Sequence, residues 1–521
     1  MATNKKSLQR GITLALVSAV GLTGMIGCSN GGNSKEPAGN STSPAANSAS
    51  PTTQPPLNLD IMLPSFGTES PKEDSPVIQA LEKATNTKLH FEWAPNSSYG
   101  DKYNITLASG KMPAIMVVQS KTASFVNAAR SGAFWELGPY LKDYPNLSKA
   151  NPITLKNSSV DGKVYGLYRT RPLGRNGMMI RQDWLENVGL QPPKTIDDFY
   201  NVLKAFAAQD PDKNGKADTY GMVITKYNLP WEMMQTWFGA PNKWGMDANG
   251  KLTPVHFTSE YMDALRFFKK LYDEKLINQD FAVMDSAKWV EPLAGNQAGV
   301  VLGEADGVVP FENRVEEAMK KLNKPERQYL DIFGDVAGPK GIRNLPTTGY
   351  AGLVHISKST VKTEAELKRV LTFLDKLSDA DMQNLLYNGI EGRHYTKTAN
   401  GIEATTDKAL LVEKVDISQV LTNIPENKAL QAVVTPLRAK LTKVQKDNEA
   451  FVVPDPTSPL VSTVYTQKGA QLDNIANDAR TKFIVGQIDE AGLKAANELW
   501  LKSGGEDLIK EMNELYVANG K

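Results

Sequence analysis

Cysteine and histidine are scarce in this chain, which has one Cys and four His among its 521 residues. A single Cys excludes a disulfide framework within the chain, as well as zinc and iron–sulfur sites that need several cysteines. The four histidines lie far apart, so the HExxH pattern of a zinc-binding helix does not occur. An excess of either charge is lacking too, since 59 basic residues face 58 acidic ones, and nothing points to a nucleic-acid partner.

Long apolar runs are also missing, except at the N-terminus. Residues 1–10 carry Lys5, Lys6 and Arg10 without any acid, and residues 11–26 form an uncharged apolar stretch. This pattern is typical of a secretory signal peptide, and it is too short and too rich in small residues for a spanning helix. No later segment approaches the roughly 18 consecutive apolar residues of a spanning helix. We therefore predict that the rest of the chain does not cross a membrane.

The single cysteine, Cys28, directly follows Gly27 at the end of this apolar stretch. The arrangement resembles a bacterial lipobox, in which the signal peptide (residues 1–27) is removed and the Cys is diacylated, for example with palmitate. A chance Cys in an ordinary signal peptide is the alternative. Two acyl chains anchor a protein stably, so we predict a lipid-anchored protein on the extracellular face of the cell membrane, in a Gram-positive bacterium.

The segment that follows Cys28 consists almost entirely of Ser, Asn, Pro, Gly, Thr and Ala up to residue 56. Such a composition cannot bury enough apolar area to order itself. We therefore predict a disordered linker over residues 28–56, which as a flexible coil would reach roughly 30 Å.

From residue 57 onward the chain contains enough apolar sequence for a folded body, with 41% hydrophobic residues overall and a length that predicts two domains. The first part alternates between strand and helix patterns: strands at 57–63, 88–93 and 115–118, and helices from Pro76 and over 99–109. This alternation indicates a parallel sheet with helices on its faces, an α/β fold. Ligands of such sheets meet the loops at the carboxyl ends of the strands.

Two loops follow strands in this way, Ser65–Thr68 and Gln119–Thr122. We predict that Ser65 and Ser120 contact a ligand. For any single residue, an ordinary surface loop explains the pattern equally well.

Several later segments carry a specific resemblance to a known family. The first three resemble family 1 extracellular solute-binding proteins, the substrate-capture lipoproteins of bacterial carbohydrate ABC importers: Val160–Gly166, Arg181–Leu185 and Pro193–Thr195. Residues 387–395 are similar to a segment of the oligosaccharide-binding subgroup, and residues 482–486 to its C-terminal helices. These matches are spread over the whole folded body.

The resemblance implies a two-lobe periplasmic-binding-protein fold of the α/β class, type II-like, with lobes joined by hinge crossings. The first lobe would comprise residues 57–175 and 345–415, and the second residues 176–344 and 416–521. The implied function is capture of an oligosaccharide between the lobes by a monomer, which delivers it unaltered to an ABC permease.

Residues 210–221 read as a cation-binding loop. Side-chain oxygens fall at alternate positions, and Lys216 would offer its backbone carbonyl; the predicted ligands are Asp210, Asp212, Asn214, Lys216 and Asp218. A hard cation takes six to eight oxygens, which alternate residues of a curled loop can supply. The sequence therefore predicts a structural calcium ion.

The last position of this loop departs from an EF-hand, because Gly221 replaces the bidentate Glu. An intact EF-hand sensor is therefore not expected. Alginate-binding relatives in the family carry a similar loop with one calcium, often with Glu after the last Asp, where this chain has Thr219. A solvated turn rich in Asp and Asn is the alternative.

Aromatic side chains that could stack on sugar rings are concentrated in one part of the chain. We predict stacking by those flanked by Pro, Gly, Asn and Lys, together with a tyrosine after a Thr-Thr-Gly run: Trp231, Trp237, Trp244, Trp289 and Tyr350. A place in the hydrophobic core is the alternative for each of them.

Arg169, Arg171 and Arg175 cluster near the expected lobe crossing. Guanidinium groups bind carboxylates through paired hydrogen bonds, so Arg175 is a predicted contact for an anionic saccharide. Salt bridges at the surface or hinge are the alternative.

An enzyme is the competing hypothesis for the whole chain, either a secreted lipoprotein glycosidase or a polysaccharide lyase. Such an enzyme needs a carboxylate pair or an equivalent acid and base. A GxSxG string occurs at residues 27–31, but it straddles the predicted cleavage site and lacks the strand and helix of a nucleophile elbow, so we dismiss it. A peptide-sensing or adhesion lipoprotein on the same fold is a third possibility. We predict a binding protein that catalyses no reaction.

Overall fold

The computed structural model describes residues 54–519, except Thr68 and Val433. The predicted signal peptide, Cys28, most of the predicted linker and Thr68 of the first ligand loop therefore lie outside the described residues. The described residues from Pro55 onward cluster as one unit. Within the described range, no helix combines the length and apolar character that crossing a bilayer requires.

The strands form two main sheets and three small ribbons. In chain order they are β1 (Leu57–Ser65), β2 (Thr87–Pro95), β3 (Ile115–Val118), β4 (Leu167–Thr170), β5 (Asn176–Arg181), β6 (Tyr220–Met222), β7 (Trp244–Met246), β8 (Leu252–Pro254), β9 (Ala298–Glu304), β10 (Leu330–Phe333), β11 (Ala337–Gly338), β12 (Gly341–Ile342), β13 (Tyr350–Ile356), β14 (Tyr395–Thr398) and β15 (Gly401–Ala404).

Helices cover the faces of both main sheets. In chain order they are α1 (Pro76–Thr85), α2 (Tyr99–Ser109), α3 (Ala123–Arg130), α4 (Pro152–Ser158), α5 (Gln182–Val188), α6 (Ile196–Ala208), α7 (Leu229–Trp237), α8 (Ser259–Asp273), α9 (Glu291–Ala294), α10 (Val308–Lys321), α11 (Glu364–Lys376), α12 (Ala380–Asn388), α13 (Lys408–Val412), α14 (Pro436–Asn448), α15 (Thr463–Ile484), α16 (Glu490–Trp500) and α17 (Glu506–Ala518).

The first main sheet has five strands in the order β2-β1-β3-β13-β4. Strand β1 is parallel to β2 and β3, as the alternating pattern predicts, and it pairs with β2 from Leu57 to Ser65. Strand β13 enters from much later in the chain and runs antiparallel to β3 and β4. Strand β3 is buried along its whole length, which explains its uninterrupted run of apolar residues.

The second main sheet has four strands in the order β10-β5-β9-β6. Strand β5 is antiparallel to both neighbours, β10 and β9, while β6 runs parallel to β9. Each main sheet has its own hydrophobic core, so the protein has two lobes.

The boundaries of the lobes follow from these cores. The core of the first lobe includes Ile417 and Ile424, which lie beyond residue 415. The chain passes between the cores three times: between Tyr168 and Met178, between Leu345 and Leu353, and between Ile424 and Leu437. Two crossings are tied together by the amide of Asn176, which donates to the Leu345 carbonyl at 2.8 Å.

Asp335 lies beside the second crossing. Its carboxylate accepts hydrogen bonds from Trp237 Nε1 at 2.6 Å and from Asn344 Nδ2. Burial raises the pKa of Asp335 to about 6, although both hydrogen bonds lower it. Oδ1 of Asn344 is buried and has no partner within the described part of the chain. A protonated Asp335 can therefore donate to this oxygen after a flip of the Asn344 amide.

We expect the Asp335→Asn variant to gain stability over the wild type as the pH rises. Because the pKa of Asp335 is higher in the folded chain, protonation favours folding; this contribution is complete below the ordinary value of 3.8 and is lost as the pH rises through about 6. Asparagine does not titrate, so the variant does not lose this contribution to its stability as the pH rises. Melting temperatures of both proteins from about pH 5 to about pH 8 test the prediction, and a constant difference would contradict it.

Candidate functional site

A pocket of about 220 Å³ lies between the two lobes. The first lobe contributes Ile153 and Asn157 of α4, and the second contributes Tyr227, Glu232 and Glu304. The crossings and the segment after α14 supply further lining residues: Arg171, Leu173, Arg175, Thr347, Thr348, Asp455 and Ser458. We call this space the cleft pocket. Among the residues predicted to contact a ligand, Arg175 lines the cleft pocket.

The two arginines of the cleft pocket differ in their partners. Nε of Arg175 donates to Asp306 at 2.6 Å, and Nη1 lies 4.0 Å from Glu304. The guanidinium of Arg171 has no hydrogen-bond or ion-pair partner among residues 54–519 as described. Burial and the neighbouring Arg175 charge lower the pKa of Arg171. Arg171 therefore offers the cleft a half-buried guanidinium whose donors are free for a ligand.

An aromatic pair borders the same pocket. The rings of Tyr227 and Trp289 meet edge to face with centroids 5.7 Å apart, and the Tyr227 hydroxyl donates to Glu304 at 2.9 Å. Tyr227 is 38% exposed and lines the pocket. Trp289 packs against the Tyr227 ring and is not among the residues that line the pocket. Trp289 packs so closely on Gly303 that a Cβ there would lie 2.6 Å from the indole. The pair thus offers one accessible aromatic ring held by a second.

The other predicted aromatic contacts lie elsewhere. Trp231 is 2% exposed and Trp237 is 0% exposed, and both belong to the hydrophobic core of the second lobe. Trp244 is buried beside a different cavity of that lobe. Tyr350 packs on the core of the first lobe, and its burial raises its pKa to about 12.

The two predicted serines stand apart from the cleft pocket. Ser65 is buried at the end of β1 and donates to Asp416 Oδ2 at 3.2 Å. The backbone N–H groups of Phe66 and Gly67 donate to the same oxygen at 2.7 and 2.9 Å, so Asp416 occupies the position that a ligand would take. Ser120 lies in the exposed loop after β3.

Lys121, next to Ser120, joins the first lobe to the segment after α14. Its Nζ donates to the carbonyls of Asn157 at 3.0 Å, Ser159 at 3.0 Å and Ser458 at 2.6 Å. The stem is half-exposed, but the ammonium is enclosed, and this desolvation lowers the pKa of Lys121 to about 8. Because Asn157 and Ser458 both line the cleft pocket, Lys121 holds its two sides together.

We expect Lys121→Met to weaken ligand binding by about tenfold, the equivalent of one charge-assisted hydrogen bond. Without the ammonium, the contact to the Ser458 carbonyl is lost and the lobes separate more easily. Calorimetric titration measures the affinity, and small-angle scattering should show a larger radius of gyration without ligand. Lys142→Met, at an exposed lysine of the same lobe, is the matched control. Unchanged affinity and radius would exclude this role.

The predicted cation loop follows α6 directly. Nδ2 of Asn214 donates to Asp212 Oδ2 at 2.8 Å and to Asp218 Oδ1 at 3.2 Å. Asp210 accepts from the backbone N–H groups of Asn214 and Gly215 at 3.1 and 3.0 Å. The side chains of Asp210, Asp212, Asn214 and Asp218 therefore lie close to one another in this loop, which also contains Lys216.

The carboxyl groups of the loop lie close enough to one another to shift the pKa of Asp210 and of Asp212. Asp212 is 7% exposed, and its Oδ1 is buried without a hydrogen-bond partner in the described chain. Burial and a hydrogen bond with Asp210 raise the pKa of Asp212, whereas the Gly215 N–H lowers the pKa of Asp210. Across the described residues, no three or more His, Cys, Asp or Glu side chains are already arranged as a metal centre. The amide nitrogen of Asn214 lies between the carboxylates of Asp212 and Asp218, and a flip of the Asn214 amide would place its oxygen there instead.

Sequence reasoning missed part of the cleft pocket. Glu232, Glu304 and Asp455 come from segments of the second lobe that are far apart in the sequence, and no local motif marks them. Arg171 did carry a signal, because it lies in the arginine cluster at the first crossing.

Comparison with known sequences places the chain among a group of bacterial proteins. Residues 67–384 match the family described as bacterial extracellular solute-binding protein. The chain is 50% identical over 473 residues to lipoprotein LipO of Bacillus subtilis (strain 168), covering 88% of this chain and 92% of LipO. It is 36% identical over 457 residues to the polygalacturonan/rhamnogalacturonan-binding protein YtcQ of the same organism, covering 87% and 89% of the two chains.

Solved structures share the fold at lower sequence identity. An extracellular solute-binding protein from Bifidobacterium longum subsp. infantis has a TM-score of 0.67 and 18% identity, over 89% of this chain and 99% of that one. An EF-hand mutant of FusA from S. pneumoniae with fructo-nystose has a TM-score of 0.57 and 20% identity, over 88% and 98%. The alginate-binding protein AlgQ2 without calcium has a TM-score of 0.57 and 19% identity, over 89% and 98%. The chain therefore belongs to the bacterial extracellular solute-binding proteins and has their two-lobe α/β fold.

Proposed function

We propose that this chain is the extracellular receptor of a carbohydrate ABC importer, which captures an oligosaccharide between its lobes and delivers it unaltered to the permease. The observation that carries the proposal is the cleft pocket, where the free guanidinium of Arg171 and the exposed ring of Tyr227 face the same space. Planar polar groups bind sugar hydroxyls, and aromatic rings stack on sugar CH faces. The names of YtcQ and FusA, which specify saccharides, support the same ligand class.

The chemistry of the cleft favours an acidic saccharide within this class. Arg175 already forms ion pairs with Asp306 and Glu304, whereas the guanidinium of Arg171 has no hydrogen-bond or ion-pair partner in the described part of the chain and can offer two donors to a carboxylate. A guanidinium binds a carboxylate through two parallel hydrogen bonds. YtcQ, by its name, binds polygalacturonan, whose units carry carboxylates. We therefore propose that this chain binds a uronate-containing oligosaccharide.

The proposed arrangement places the receptor at the membrane through acylated Cys28, with residues 28–56 as the tether. The first lobe comprises residues 57–175 and 345–415 with a short extension that includes Ile424, and the second lobe comprises the remaining residues. The receptor acts as a monomer.

A structural calcium ion belongs to the same proposal. Asp210, Asp212, Asn214 and Asp218 would hold it, together with the carbonyl of Lys216. The buried, unpartnered Oδ1 of Asp212 fits this role, because oxygen donors are what calcium requires. The ion would fix the segment between α6 and β6 and would take no part in ligand chemistry.

Titration of the purified folded body with a panel of oligosaccharides tests the function. We would use fragments of polygalacturonan and rhamnogalacturonan and a fructo-oligosaccharide. We expect saturable binding to at least one of them and the ligand recovered at its original length after prolonged incubation. Shortened products would favour the glycosidase or lyase hypothesis, and a panel without any binding would contradict the proposal.

A further inference from the structure

A second cavity, of about 400 Å³, lies inside the second lobe. It is enclosed by α7, the β7–β8 ribbon and the C-terminal helices α15 to α17. It shares lining residues with the cleft pocket, so the two spaces adjoin: Glu232, Asn242, Lys243 and Asp455. We call this space the side chamber.

The volumes of the two spaces suggest that they work together. Small-molecule sites usually start at roughly 300 Å³, and the cleft pocket, at about 220 Å³, is smaller than that. The side chamber, at about 400 Å³, lies within the usual range. An oligosaccharide that is too long for the cleft pocket would therefore extend into the adjoining side chamber.

The side chamber contains a buried cation without a carboxylate partner. Arg480 on α15 is only 6% exposed. One Nη donates to Asn228 Oδ1 at 2.6 Å, while Nε is buried without a partner in the described protein. No carboxylate of the described residues forms an ion pair with this guanidinium. An arginine is rarely buried unless its donors are used, so the remaining donors of Arg480 indicate a ligand that supplies oxygens.

A second buried polar group faces the same space. Nε2 of His256 is buried and has no partner in the part of the chain that the structure describes. Burial lowers the pKa of His256 to about 4, so the ring is neutral near neutral pH. Its ring meets that of Trp500 edge to face, with an interplanar angle of 70° and centroids 4.7 Å apart, and Trp500 and Trp244 both line the chamber.

Three acids line the side chamber: Glu232, on the wall shared with the cleft pocket, and Asp455 and Asp473, which are hydrogen-bonded within the protein. Asp473 accepts from the Tyr465 hydroxyl at 2.7 Å, and Asp455 accepts from the N–H and hydroxyl of Thr457 at 2.8 and 2.6 Å. The chamber therefore combines aromatic walls with free donors on Arg480 and a ring nitrogen of His256 that donates or accepts according to its tautomer. Aromatic faces with planar polar groups are suited to the CH and OH groups of a sugar ring.

We propose that the side chamber is a second sugar subsite, which takes the terminal unit of an oligosaccharide whose other units lie in the cleft pocket. This inference rests on the proposed function and adds a length preference to it. A short oligosaccharide fills the cleft pocket alone, whereas a longer one also reaches Arg480. Affinity therefore increases with chain length until the side chamber is filled.

Calorimetric titration with galacturonan oligomers of increasing length, from the monosaccharide upward, tests this inference. We expect the wild type to bind the longer oligomers at least about tenfold more tightly than the short ones, the worth of one or two further hydrogen bonds. Two variants should lose this gain and still bind short oligomers as the wild type does. Arg480→Met removes the guanidinium and keeps most of the stem, and Ala476→Phe fills the chamber without changing its charge.

Arg266→Met, at an exposed arginine of α8 in the same lobe, is the matched control and should keep the full gain. Melting curves establish that the variants are folded. The inference is overturned if both folded variants keep the gain, or if they lose affinity equally for every chain length. Failure of the wild type to bind any oligomer in the titration panel would instead remove the proposed function, and the inference with it.

Discussion

Replacing Arg171 with methionine is expected to lower the affinity for an acidic oligosaccharide by roughly tenfold to 100-fold, the worth of a charge-assisted hydrogen-bond pair. The reason is the unequal pairing of the two cleft arginines. Arg175 is held by Asp306 and Glu304, whereas Arg171 has no partner among the described residues. A ligand carboxylate would gain full use of the Arg171 guanidinium without displacing a protein group.

The ligand offers a complementary change. Methyl esterification of a galacturonan fragment removes its charge and keeps its shape, so the wild type should prefer the free acid and Arg171→Met should not. The preference should weaken with added salt, because screening reduces the attraction between charges that water can reach.

Arg438→Met, at an exposed arginine of α14 outside the cleft pocket, serves as the control for loss of one positive charge. Calorimetric titration of all three proteins with both forms of the fragment gives the comparison. Equal affinity of Arg171→Met and wild type for the free acid would remove Arg171 from the site. A preference for the free acid that survives in Arg171→Met would assign the carboxylate to another group.

Elements that are specified by neighbouring residues were predictable from the sequence. The Thr-x-x-Asp pattern at Thr195 and Asp198 is a capping box in the sequence, and it opens α6, which ends at Ala208. The Asp-Gly pair at Asp161 and Gly162 favours a tight turn, and both residues have the positive φ that such a hairpin requires. Ser75 followed by Pro76 is a pattern typical of a helix start, and Ser75 caps α1 with Pro76 at its first position. In each case the signal is local, because it depends on a cap bond or a φ preference within a few residues.

Burial of single aromatic residues was not predictable in the same way. Trp237 is followed by Phe and Gly near a Pro and an Asn, a context that suggests a surface loop. It ends α7 instead, where it packs edge to face on Phe199 and donates to Asp335. Both partners are distant in sequence, and nothing in the local composition reveals which side of a helix end faces the core.

The composition of the cleft pocket depends on the same kind of distant contact. Ser65 follows a strand, as a ligand residue of an α/β sheet would, but Asp416 reaches its loop from 351 residues later. Arg171 and Arg175 are four residues apart, yet among the described residues Arg175 alone of the two forms ion pairs with the acids at the end of β9 and after it. Sequence spacing predicts the type of site, and tertiary contacts decide which member of a cluster stays free.

The cation loop allows the most discriminating test. The substitution Asp212→Asn should change the melting temperature in opposite directions without and with calcium. Without a cation, the carboxyl group of Asp212 is buried beside other acids, and its raised pKa means that folding favours its protonated form. This contribution to stability is present at low pH and is lost as the pH rises through the folded pKa. Asp212→Asn should therefore melt at a higher temperature than wild type when a chelator is present at neutral pH.

With calcium the order should reverse. A cation that binds only the folded chain stabilises it by about 2.7 kcal/mol when its concentration is 100-fold above the Kd, so the wild type should melt several degrees higher in calcium than in chelator. Asp212→Asn lacks one charged ligand and should gain little, whereas Asp101→Asn, at an exposed acid of the first lobe, should respond as the wild type does. Acidification should weaken the calcium effect, since protons compete for Asp212. A wild-type melting temperature that is the same in calcium and in chelator would show that the carboxylates converge without holding a metal.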